Sequence, residues 1–253
     1  MHKKIIKHLK QGTLLKAILN KLFKPITKPI TKLYELNLIL KGKIISNPDE
    51  VVYVLTDSIE EYAVDIAPTG KKLQRYYNIG FIRQRIVGWI ENGNWDNNTK
   101  RYDDQPHFSI FKERFVEGKE WEETGYHKWF HELLRNEGTV RGCMNWAEFK
   151  EKFMRVWDDI YNHTIKNGYN VNRILMPRDN IQVVVSRQGK ILFNDGRHRL
   201  SIAKILNLKE VPVIVNYWHK EFIDEVKRRI GEKKITPSKA IKFSIEKYKA
   251  CSK

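Results

Sequence analysis

Asp195-Gly196-Arg197-His198-Arg199 is the run in this chain whose residue types could do chemistry. Two guanidinium groups and an imidazole follow directly on a glycine, and an apolar helical pattern follows them. Amide groups at a helix start attract anions, and flanking guanidinium groups strengthen that attraction. A solvated basic cap is the plainer reading. Cations in a first helical turn, however, oppose the helix dipole unless an anion neutralises them. Here that unfavourable placement coincides with an aspartate able to cap the helix and a glycine able to let a ligand approach the backbone. The ligand expected is therefore a phosphate-bearing one. Gly196, Arg197, His198 and Arg199 would hold its phosphate, with Asn194 and Asp195 as further contacts to a bound cofactor.

The neighbouring sequence supplies the elements that position this run. Ile181-Gln182-Val183-Val184-Val185 reads as a strand, Ser186 to Gly189 as a turn, and Lys190 to Phe193 as the return strand of a hairpin. A helix is expected from Arg197 to Leu206, with Leu200, Ala203 and Ile205 or Leu206 on its apolar face. Asn207 is a left-handed cap and Leu208 closes back on the helix. Val211 to Tyr217 is the next strand, and Pro212 suits a strand end or an edge.

On Asp195-Gly196-Arg197-His198-Arg199-Leu200, then Ala203, then Val211-Pro212-Val213-Ile214-Val215, the sequence resembles the ParB/sulfiredoxin-like superfamily. The resemblance covers about 40 residues directly, and 171–218 loosely. It implies that the loop and helix start hold nucleotide phosphates, with ATP or another nucleotide as cofactor and Mg2+ as its companion ion. It is nearest to the ParB-like kinases. Sulfiredoxin's reactive cysteine would fall at Arg197, so that chemistry is not expected. Partition proteins carry a DNA-binding module and a dimerisation domain after the core, and about 35 residues after Trp218 are too few for both.

The 253 residues are 41% hydrophobic and suffice for one domain with a core and appendages. Two cysteines, Cys143 and Cys251, are too few for a disulfide framework and fit free thiols in a cytoplasmic protein. The net charge of +17 is uneven: residues 1–43 hold eleven lysines, no arginine and one acid, Glu35. Apolar residues from Ile5 to Phe23 recur at helical steps among lysines, and Pro25 and Pro29 predict an extended stretch after them. Three readings of this segment stay open: a helix docked on the domain with its lysines in water, attachment to an anionic membrane surface, or contact with nucleic acid.

In the middle region, 51–55 and 61–66 read as strands, 73–90 as a helix, and 91–107 as a long polar loop. Helices are expected at 108–117, 126–136 and 146–163, the last with Asn145 as N-cap and Glu148 completing a capping box. His127 and His131 share a helix face, but Lys128 stands where a zincin needs glutamate, so half-buried or surface histidines are favoured and no metal site is assigned. Two further helices, 220–231 and 236–250, close the chain.

The expected class is α+β with mixed α/β character: a small mixed β-sheet core with helical insertions and a basic amphipathic N-terminal helix. Its parts are a basic segment over 1–46, a mainly helical region with some strands over 47–170, the core motif over 171–219, and a basic helical tail over 220–253. Three functions fit: a nucleotide-dependent, kinase-like phosphotransferase; a DNA-associated binding or nuclease protein; or a membrane-peripheral accessory protein recognising a lipid or sugar phosphate. For catalysis the general base is not identified. Glu60 and Glu61 are candidates because they follow a core strand, and Asp195 because it borders the turn.

Overall fold

The computed structural model describes residues 29–66, 76–79, 82–169 and 180–251. The basic helix expected within residues 5–23 lies outside them. The described strands are β1 (Val52–Leu55), β2 (Glu61–Ala63), β3 (Tyr76–Ile79), β4 (Ile82–Arg85), β5 (Trp89–Glu91), β6 (Thr99–Arg101), β7 (Ile181–Val185), β8 (Ile191–Asp195) and β9 (Glu210–His219). The helices are α1 (29–40), α2 (Pro106–Phe115), α3 (Gly125–Glu137), α4 (Trp146–Phe149), α5 (Arg155–Asn167), α6 (Arg197–Ile205), α7 (Lys220–Ile230) and α8 (Pro237–Cys251). A π-helical segment, Lys150–Met154, joins α4 to α5. No described helix is long and apolar enough to cross a membrane.

The fold is α+β. Seven strands form one mixed sheet in the order β1-β9-β7-β8-β2-β6, with β5 pairing alongside the end of β9. β7 and β9 run parallel, as do β8 and β2, while the β7–β8 hairpin is antiparallel. The sheet thus draws strands from both the middle region and the core motif. Every residue of β7 is buried, because both faces of this inner strand are covered. Val183 and Val185 join Leu200 and Ala203 of α6, Phe222 of α7 and Ile241 of α8 in one core cluster. Val184 points the other way, to Leu38 of α1, Trp95 and Tyr217. A third cluster joins α2 to α5, with Phe111, Trp121, Phe130, Phe149 and Trp157 at its centre and Ile202 of α6 at its border. α6 is therefore gripped on both sides: Leu200 and Ala203 face the sheet while Ile202 meets the helical layer.

Two strand irregularities sit side by side. The β7–β9 register slips so that Val183 faces Val215 but Val184 faces Tyr217, leaving Asn216 as the extra residue. The β7–β8 register slips at Asn194 in the same way. A bulge shifts the alternation of a strand by one position, which is why both Val215 and Trp218 reach the same core cluster. Asn216 Nδ2 donates to Gln182 Oε1 at 2.7 Å and also to Asn194 Oδ1.

The expected elements from Ile181 onward stand where the sequence places them. Asn207 takes a positive φ of 50°, and Leu208 N–H closes back on Ala203 O at 3.0 Å. Pro212 pairs with Tyr53 of β1 outside the β7 ladder, which begins at Val213, so its missing N–H breaks no bond to β7. Upstream, several expectations are corrected. The helix expected over 73–90 is instead the β3–β4 hairpin followed by β5. Tyr76, Tyr77, Ile79 and Ile82 are strand-favouring residues whose spacing also suits a helix. Gly88, at φ +77°, leaves no room for a Cβ beside Pro48 and bonds Val215 O instead. Within 91–107, β6 pairs with β2 and Tyr102 is fully buried. β2 ends at Ala63 and a 3-10 turn, Val64–Ile66, replaces the rest of the strand expected there. The extended stretch predicted around Pro29 fails from that residue on, because 29–40 are helical; proline's fixed φ is compatible with a helix where its absent N–H is not needed. Asn145 caps α4 through Glu148 N, but the Glu148 carboxylate takes Met144 N–H, so the reciprocal half of the capping box is missing.

Candidate functional site

The start of α6 is held from three directions. Gly196 is the N-cap, at φ +86°, with no side-chain cap bond. Asp195 does not cap the helix; its Oδ1 accepts the N–H of Gly196 itself at 2.7 Å. Nor is Gly196 open to a ligand on its Cβ side, because a Cβ there would stand 3.0 Å from Ile181 Cα and 3.2 Å from Asn180 O. The glycine serves the turn and its packing on β7. Tyr102 forms the second anchor: its hydroxyl donates to Arg197 O at 2.8 Å and lies 3.0 Å from Ser201 Oγ. Burial pushes the Tyr102 phenol far above its ordinary pKa, so it stays a donor.

The third anchor is His198. Its ring stacks on Trp157 at 4.0 Å between centroids and stands 4.7 Å from the ring of His107, beside Phe111. The Tyr126 hydroxyl lies 3.0 Å from the ring nitrogens of His107 and 3.3 Å from Nε2 of His198. Elements far apart in sequence thus converge here: the first turns of α2, α3 and α5, and α6. Burial first, then the charges of Arg197 and Arg141, lower the pKa of His107 to about 3. His198 is likewise driven well below its usual value, by burial first, then by His107, Arg197, Arg141 and Arg199. Both imidazoles are neutral at physiological pH, since burial first and these guanidinium groups next disfavour the charged form.

Those guanidinium groups are half-buried at Arg197 and Arg199 and exposed at Arg141. None of the three makes an ion pair with a described residue. Arg141 stands in a tight Val140–Cys143 turn with a positive φ of 50°, sparsely populated for a residue with a side chain. Its guanidinium lies 5.2 Å over the Phe153 ring. Two buried polar side chains nearby lack hydrogen-bond partners among the described residues. Asn180, whose backbone touches Gly196, has neither amide atom bonded, and the Tyr169 hydroxyl, on which Arg199 acts, has none either.

A second cationic corner lies at the far end of β7. Arg187 donates to both oxygens of Asp96 through Nε at 3.1 Å, and its Nη2 donates to Asp96 Oδ1 at 2.8 Å and to Gly93 O at 3.0 Å. His219 Nε2 is 2.9 Å from the same Gly93 O, and its ring packs on Trp95. Burial alone would raise the Asp96 pKa, but the bonds from Arg187 outweigh it and hold the carboxyl below its ordinary value. This corner ties the 92–98 loop to the sheet.

Of the expected site residues, the fold brings Asp195, Gly196, Arg197, His198 and Arg199 together at one helix start, while Asn194 turns into the buried amide group with Asn216. Glu61 is ion-paired with Lys190, and that hydrogen bond holds its carboxyl below its usual pKa. Glu60 is exposed, and its backbone oxygen accepts Tyr102 N–H at 2.7 Å. His127 and His131 touch through their Nε2 atoms at 3.0 Å on the exposed face of α3. Asp158 accepts from Arg114 and from the Trp121 ring N–H. No group of three metal-ligating side chains occurs among the described residues. The sequence reading missed His107, Tyr102, Tyr126, Trp157 and Arg141 as partners of α6; only Arg141-Gly142 carried a local sign, that of a turn. No protein-family description, curated protein or solved structure matches the chain.

Proposed function

We propose that the protein binds a phosphate-bearing small ligand, a nucleotide foremost, at the start of α6, in keeping with the resemblance to the ParB/sulfiredoxin-like superfamily. The observation that carries this reading is the pair of half-buried arginines, Arg197 and Arg199, with no carboxylate partner among the described residues. A half-buried cation in a first helical turn is unfavourable alone and becomes favourable when an anion joins it. Arg141 adds a third guanidinium. Neutral His107 and His198 donate or accept hydrogen bonds without adding charge.

Mg2+ would enter with the nucleotide: the chain offers no described three-ligand cage, and Asp195 is the carboxylate at the turn for a phosphate-bound ion. The enzyme form of this reading is kinase-like phosphotransfer, in which the protein mostly positions phosphates and offsets their charge. No general base is assigned: the His107–Tyr126–His198 group resists a further proton, and Glu61 is engaged by Lys190.

The test is a panel of ATP, GTP, CTP and inorganic triphosphate, with and without magnesium, read by thermal and chemical unfolding. A ligand at a hundred times its Kd stabilises the protein by about 2.7 kcal/mol. That gain disappears in an Arg197→Ala, Arg199→Ala double variant whose ligand-free stability stays within about 0.5 kcal/mol of the parent. No gain with any compound, or a gain that survives in the double variant, contradicts the proposal.

A further inference from the structure

We propose that the outward face of α1 is a docking surface for an anionic lipid bilayer. Thr31, Glu35 and Leu38 of this helix turn inward and are buried, with Tyr34 and Ile39 packed beside them. The opposite face carries Leu33, Leu36 and Leu40, which are 67%, 51% and 71% exposed, with Ile30 at 38% on its margin. Steps of three and four residues place these side chains in one stripe. A helix that has already buried one apolar face on its own domain has no folding reason for a second.

Charge selects the partner. Residues 1–43 carry eleven lysines against one acid. That acid, Glu35, is 3% exposed on the inward face, where Lys32 bonds it at 2.9 Å. The leucine stripe therefore meets solvent without a carboxylate of its own helix, and exposed Lys41 and Lys43 lie just beyond its end. An apolar stripe within a strongly cationic segment matches a surface that is greasy inside and negative outside. A second copy of the chain would bring the same excess of lysine against itself. Nucleic acid would engage the lysines and leave the leucines in water. The helix would lie on the membrane, because no described helix is long and apolar enough to cross one.

The test uses the full chain in vesicle flotation, with phosphatidylcholine alone and with phosphatidylserine added. The proposal predicts flotation only with phosphatidylserine, weakened at high salt. It also predicts a loss of about tenfold or more in a Leu33→Glu, Leu36→Glu, Leu40→Glu variant, since burial of leucine and attraction of lysine act together. These side chains are exposed, so an unchanged melting temperature certifies the variant's fold. Absence of flotation by the parent chain overturns the proposal. So does equal flotation by the variant, which would give the binding to lysine charge alone. A parent dimer that the same variant dissociates, seen by sedimentation, would assign the stripe to a second copy and overturn it too. The phosphate site is untouched by these variants, so nucleotide-dependent stabilisation persists whichever way flotation falls.

Discussion

The two ends of the central hairpin present arginine in opposite ways. At the β7–β8 turn, Arg187 spends its donors on Asp96, Asn94 and Gly93, and the corner is closed by the protein itself. At the start of α6, Arg197 and Arg199 find no acid among the described residues, and the histidines beside them are driven neutral. The same side chain is a fastening in one place and an open valence in the other. What distinguishes them is the neighbouring loop: 92–98 brings a buried carboxylate to Arg187, whereas the elements around α6 bring aromatic rings, hydroxyls and imidazoles.

The largest expected effect falls on the closed corner. Asp96→Ala removes a buried carboxylate that accepts from both the side chain and the backbone N–H of Arg187, and should cost about 3 kcal/mol in urea unfolding. A loss below 1 kcal/mol would remove the contrast between the corners. The Asp96 carboxyl has a folded pKa below its ordinary 3.8. Its contribution is therefore complete above about pH 4 and drains away as the pH falls through the folded value, and Asp96→Asn abolishes that acid limb.

Gly196→Ala sharpens the comparison at the open corner. The residue has φ +86°, and its Cβ would press on the Ile181 backbone. Destabilisation of about 2–3 kcal/mol is expected from strain and contact together. A tolerated alanine would restore the reading of this glycine as space for a ligand.

A smaller effect concerns the histidines. His107 goes from 6.5 unfolded to about 3 folded. The unfolded chain then takes up a proton that the folded one refuses, and stability falls as the pH drops from about 6.5 toward 3. At pH 5 this amounts to roughly 2 kcal/mol for one such group. His107→Gln should flatten that slope in unfolding curves taken across the range. Arg141→Ala should raise the His107 titration seen by NMR, and an unmoved titration would place Arg141 away from the site.

The stretch from β7 to β9 was legible in the sequence because its signals are local. Gly189 and Gly196 mark turns, Asn207 marks a helix end, and alternating valines mark strands. The partners of α6 were not legible. Tyr102, His107, Tyr126 and Trp157 come from separate elements whose packing no local pattern announces, and His107 and Tyr102 fall in a stretch that reads as loop. The 73–90 segment was misread because isoleucine and tyrosine at mixed spacing satisfy two periodicities, and only pairing between the strands decides between them. Arg197 and Arg199 could be named from their position, but whether they met an acid was a question for the fold.

The most direct measurement is the reactivity of single arginines toward phenylglyoxal, mapped by mass spectrometry in the presence and absence of ATP. Arg197 and Arg199 should be modified in the free protein and protected by the nucleotide, while Arg187, held by Asp96, stays unreactive in both states. Equal reactivity of Arg197 and Arg199 with and without the nucleotide, or resistance of both in the free protein, would contradict the assignment of this corner to a phosphate ligand.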